Sequence, residues 1–160
     1  MKSLVIFYSL TGKTKLVAQT IAEALNAELV EIEEVKPRKR GFATYLTVGF
    51  AAITNKESQI KPVNVNWNRY DMVFIGSPVW ASRPTPAINS LVYANNFQSQ
   101  SIVPFFTMGG DNADKALENI TAKIERSQGK VISSFAVKSY GLSDEKIIDG
   151  AKKAITNYTN

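Results

Sequence analysis

The sequence contains neither cysteine nor histidine. Without cysteine there is no disulfide frame, no thiolate nucleophile and no iron–sulfur cluster. Without histidine there is no His-based triad and no His-ligated zinc, so any general acid or base must be a carboxylate, a lysine or a tyrosine. Long apolar runs are missing too. No segment approaches the roughly 20 residues of a membrane-spanning helix. The run Leu4-Val5-Ile6-Phe7-Tyr8 is too short for a secretory signal and no small-residue cleavage site follows it, so the expected location is the cytoplasm. A chain this poor in catalytic side chains points to a cofactor that carries the chemistry.

What is present reads as one globular domain over residues 1–160. The chain is 44% hydrophobic and 21% charged, and its 19 basic against 14 acidic residues give a net charge of +5. The basic cluster Lys36, Arg38, Lys39 and Arg40 reads as a solvated loop or a docking point for an acidic partner. No motif supports nucleic-acid binding.

Short buried-type strands alternate with amphipathic stretches. Leu4–Tyr8 is a continuous apolar run of the kind buried on both faces. Leu16, Val17, Thr20, Ile21, Ala24 and Leu25 then recur at helical spacing. Further strands are predicted at Glu28–Ile32, Tyr70–Gly76, Ile102–Thr107 and Lys130–Val137. Helices are predicted at 41–55, Pro84–Asn95, Asp114–Ser127 and 143–158, the last with Ser143 as N-cap and Lys146 at N3. Alternation of this kind gives βαβ units. The predicted fold is an α/β three-layer α/β/α sandwich around a five-stranded parallel sheet of order 2-1-3-4-5.

In such a sheet ligands bind beyond the carboxyl ends of the strands, where the strand order reverses. Three loops of unusual composition leave those ends. Ser9-Leu10-Thr11-Gly12-Lys13-Thr14 brings hydroxyls and a glycine to a helix N-terminus, a setting for a phosphate monoester. A nucleotide P-loop would need glycine where this chain has Phe7, and the dinucleotide glycine pattern is absent. Pro78-Val79-Trp80-Ala81 offers an indole for a planar ring, or for the core. Met108-Gly109-Gly110-Asp111-Asn112 carries two glycines that let the backbone approach a ligand. Arg83 follows the second loop closely.

The segment Phe7–Thr14, with hydroxyl residues spaced around Thr-Gly-x-Thr, resembles the phosphate loop of flavodoxins. Gly76-Ser77-Pro78-Val79-Trp80-Ala81 resembles the family's second loop, and Gly110-Asp111 its third. The resemblance extends over nearly the whole chain in element order, and matches best the broader group of flavodoxin-like proteins that bind flavin mononucleotide (FMN). It implies FMN as cofactor, with Ser9, Leu10, Thr11, Gly12, Lys13 and Thr14 at the phosphate. Pro78, Val79, Trp80, Ala81, Thr107, Met108, Gly109, Gly110 and Asn112 would surround the ring. It implies electron transfer to a redox partner protein or a small-molecule acceptor. An NAD(P)H-dependent quinone or flavin reductase is the alternative, and a module that has lost its flavin is a third. Three features depart from the pattern. Lys13 stands where many flavodoxins have Asn, Asn112-Ala113-Asp114 stands where a ring-stacking Tyr often follows, and the chain is basic.

Overall fold

The computed structural model describes residues 1–38, 57–98 and 100–159. The helix expected at 41–55 lies outside the described residues. Strand β1 (Ser3–Phe7) is buried along its whole length and pairs in parallel with β2 (Glu28–Glu31) on one side and β3 (Met72–Pro78) on the other. β4 (Ser101–Met108) follows β3, giving the order β2-β1-β3-β4 with the fifth position beyond β4. This is the expected flavodoxin-like order.

Alternate side chains of the central strands go to opposite faces. Leu4, Ile6, Val73, Ile75, Ile102 and Phe106 pack under α2 (Pro86–Tyr93) and α3 (Asp114–Arg126). Val5, Phe7, Phe74, Val103 and Phe105 pack under α1 (Lys13–Leu25) and α4 (Asp144–Ala154). Ser143 caps α4 by accepting from the Lys146 amide, as expected, and Thr85 does the same for α2 through Ile88.

The fifth strand differs from the expected continuous Lys130–Val137. It is split into β5 (Lys130–Val131) and β6 (Phe135–Lys138), both paired with β4. Ile102 faces Val131, but Phe105 faces Phe135, so the outer strand carries one extra residue. The cause is Pro104. Ile102 and Met108 accept through their carbonyls from Ile132 and Ser139 of the outer strand, whereas Thr107 accepts from Val79 on the β3 side. That alternation turns the missing N–H of Pro104 toward the outer strand, where a ladder bond would otherwise form. Proline inside a sheet is tolerated at such a bulge. The extra residue also reverses the side-chain parity. Val131 joins the α2/α3 core, and Phe135 and Val137 join the α1/α4 core.

Between α2 and α3 lies Lys123, only 3% exposed, with its Nζ donating to Asn89 Oδ1 at 2.7 Å and 5.8 Å from the Tyr93 ring centre. Burial, aided by the nearby Arg83 and Arg126, pulls its pKa down from 10.5 to about 8. Below about pH 8 folded and unfolded chains both carry this proton, and the burial penalty is present in full. Between about 8 and 10.5 the unfolded chain binds more protons, so rising pH favours the fold. Denaturant titrations should therefore show the wild type gaining up to about 3 kcal/mol relative to Lys123→Met across that window. A stability difference independent of pH would remove this account.

Candidate functional site: a cleft at the carboxyl ends of the strands

The first loop ends in Gly12, whose φ of 92° lies in the left-handed region that glycine adopts without strain. The carbonyl of Gly12 accepts the first helical bond, from Leu16. The amides of Lys13, Thr14 and Lys15 thus form the open first turn of α1. Among the described residues no side chain caps them, and no acidic residue stands in that turn. The hydroxyls of the loop are engaged elsewhere or left to the cleft. Ser9 Oγ accepts from the Gly12 amide at 3.1 Å, which shapes the turn ahead of the helix. Thr14 is buried and its hydroxyl lies 2.7 Å from that of Thr107, joining the start of α1 to the end of β4. Thr11 is exposed. Lys13 Nζ sits 2.9 Å from Asp144, which opens α4.

The second loop is a tight hairpin. Trp80 and Arg83 exchange both backbone hydrogen bonds, at 2.9 and 3.0 Å. The two residues between them, Ala81 and Ser82, have φ values of 47° and 60°. Such a turn with two left-handed residues normally uses Asn and Gly; alanine and serine there cost about 1 kcal/mol or more each. The surroundings enforce it. Ser77 Oγ accepts from the Thr85 amide at 3.1 Å, and both side chains are buried, which closes the base of the loop. Trp80 itself is only 9% exposed. Its ring meets Tyr8 edge-on, with centroids 5.8 Å apart, and joins the core cluster, so it serves the core and the cleft together.

The third loop is fastened to the exit of β6. The amide and hydroxyl of Ser139 both donate to the Met108 carbonyl, and Lys138 pairs with Asp111 at 2.5 Å, holding that carboxyl below its usual range. Tyr140, which comes next, is 79% exposed.

These loops enclose a cleft of about 480 Å³. Ten of the fifteen residues expected from the sequence line it: Leu10, Thr11, Lys13, Pro78, Val79, Trp80, Ala81, Thr107, Met108 and Gly109. Five do not. Ser9 and Gly12 form the turn behind the lining, Thr14 is buried under it, and Gly110 is exposed beyond it. Asn112 sits on a separate depression with Ser82 and Lys115 and binds the Asp114 amide at 2.7 Å, as helix-end chemistry. Arg83 likewise lines a different depression, with Lys115 and Asn119. Ser139 and Tyr140 line the cleft and were not expected. The segment Lys138-Ser139-Tyr140-Gly141 follows a strand end as the other three loops do, and that position is the signal that would have found them. Among the described residues no cluster of Asp and Glu could hold a metal ion, and no helix is long and apolar enough to cross a membrane.

A curated relative, the flavodoxin-like domain-containing protein BilS of Clostridioides difficile (strain CD3), is 28% identical over 155 residues, covering 95% of this chain and 70% of the relative. Among solved structures, a flavoprotein from Lactobacillus acidophilus NCFM in complex with FMN superposes with a TM-score of 0.74 at 24% identity, covering 94% of this chain and 99% of that one. Oxidised flavodoxin 1 from Bacillus cereus superposes with a TM-score of 0.58 at 14% identity, over 98% of both chains. At these identities the structures establish the shared fold. The flavodoxin family model matches residues 2–143, nearly the full length, and the chain belongs to the flavodoxin family.

Proposed function

We propose that this protein binds FMN in the 480 Å³ cleft and works as an electron carrier. The observation that carries the reading is the open first turn of α1. Three amide donors and the positive end of a helix dipole, uncapped by any side chain among the described residues, stand beside a cleft with apolar walls. A phosphate monoester satisfies such donors. Thr11 would add a hydroxyl and Lys13 a positive charge. Leu10, Pro78, Val79, Trp80 and Met108 supply the apolar walls a planar ring needs, and nearby main-chain groups its polar edge. When bound, the flavin supplies the electron-transfer chemistry. The protein's own residues orient it and shield it; among the described residues that line the cleft, Lys13 and Tyr140 are the titratable groups.

The reading is supported by the family and by the FMN complex of the Lactobacillus acidophilus flavoprotein. It is tested by the absorption spectrum of the purified protein, with chromatographic identification of any released flavin. A colourless protein that takes up no added FMN would exclude it. Emission of Trp80 should be strongly quenched on FMN binding, while Trp67, packed on Phe97 beneath the sheet's other end, should respond less. Trp80→Phe should remove most of the quenching. Steady-state NAD(P)H oxidation with a quinone acceptor separates carrier from reductase, and the carrier is expected to show none.

A further inference from the structure

Beside Trp80 the structure holds a polar chain, with a buried carboxylate at its centre, that the cleft lining does not include. Glu34, whose side chain is 4% exposed, accepts from the Tyr8 hydroxyl at 2.9 Å. Both its oxygens also accept from Arg38 Nε, at 3.1 and 2.9 Å. The Arg38 guanidinium carbon lies 5.5 Å from the centre of the Trp80 ring, and Tyr8 meets the same ring edge-on. The indole is thus contacted by two groups anchored on one carboxylate. Glu34 is fixed in turn, because the backbone on either side of it is clipped to the returning chain: Val35 donates to Gln59 and Lys61 to Glu33.

A buried carboxylate is retained only when it is paired and hydrogen-bonded. Here its partners are the two groups that touch Trp80. Fixing one ring beside a ligand cleft lowers the ordering cost of binding. We propose that Arg38, held by Glu34, is a positioning residue that locks the Trp80 indole into the cleft wall before any ligand arrives. The basic cluster 36–40, read from sequence as a solvated loop or docking point, thereby includes one residue, Arg38, that works inward. The consequence for flavin binding rests on the function proposed above; the locking itself does not.

The test uses the protein in a Trp67→Phe background, where Trp80 is the sole tryptophan and is excited selectively over the six tyrosines. Time-resolved anisotropy of the apo protein should show Trp80 tumbling with the whole molecule. Arg38→Met should add a fast local component, Glu34→Gln should do the same by loosening the anchor, and Arg38→Lys should restore part of the rigidity through its charge over the ring. An unchanged decay in both Arg38→Met and Glu34→Gln overturns the proposal. So does a fast component already present before either substitution. In titrations, Arg38→Met should weaken FMN and riboflavin by the same factor, about threefold to tenfold, because the ring is common to both. A loss confined to FMN would place Arg38 at the phosphate and overturn the positioning role. Failure of the wild type to bind flavin removes the function proposed above and leaves the anisotropy result to decide this inference.

Discussion

FMN is expected to bind at least a hundredfold more tightly than riboflavin, measured by flavin fluorescence titration of the apo protein. The two ligands differ by one phosphate, and the open turn of α1 offers three amides for it. Each hydrogen bond to a charged group contributes about 1.5–3 kcal/mol, so two of them already give a factor of roughly a hundred or more. Thr11→Ala should weaken FMN by about tenfold and leave riboflavin unchanged. Thr14→Ala should behave differently. The Thr14 hydroxyl is buried against Thr107, so its loss should loosen the junction of α1 and β4 and weaken both ligands together. If Thr11→Ala reduced both equally, the phosphate would not lie at this loop.

The largest effect on the fold itself is expected from Gly76→Ala. A Cβ built on Gly76 would fall 2.2 Å from Phe105 Cζ and within 2.8 Å of two further ring atoms. Gly76 and Phe105 are neighbours across β3 and β4, and the ring fills the space the missing side chain leaves. Phe105 cannot swing aside, because it stacks on Phe135 with planes 14° apart and centroids separated by 5.7 Å. Overpacking a rigid core costs typically about 1–3 kcal/mol, and an overlap this deep in the central pair belongs at or above the upper end. The melting temperature should fall by roughly 6–12 °C. The double variant Gly76→Ala with Phe105→Leu should recover part of the loss. A melting temperature unchanged by Gly76→Ala would mean that the ring has another place to go.

The strand order was legible because apolar runs and glycine-rich loops are local signals. So were the ten lining residues, since strand ends carry ligand loops in every open parallel sheet. What escaped depends on partners distant in sequence. Pro104 reads as an ordinary strand residue until its missing donor is seen to face the outer strand, which explains why Lys130–Val137 is broken. Thr14 reads in sequence as one of the loop's hydroxyls, and its contact with Thr107, 93 residues on, is visible only in the fold. Arg38 looks like one of four surface cations until Glu34 and Trp80 are brought to it. Tyr140 carries no motif; it reaches the cleft because β6 ends beside Met108.

The break in the outer strand also governs how the sheet meets other chains. An edge strand with an uninterrupted row of open amides and carbonyls is a template for aggregation. Here the far edge is divided into pieces of two and four residues by a one-residue insertion, so the row loses its spacing midway. The opposite edge, β2, is only four residues long and carries exposed Glu28 and Glu31. A proline chosen deep inside the sheet thus acts at its rim: by forbidding one bond within the molecule, it denies a neighbouring molecule the regular ladder on which intermolecular pairing would grow.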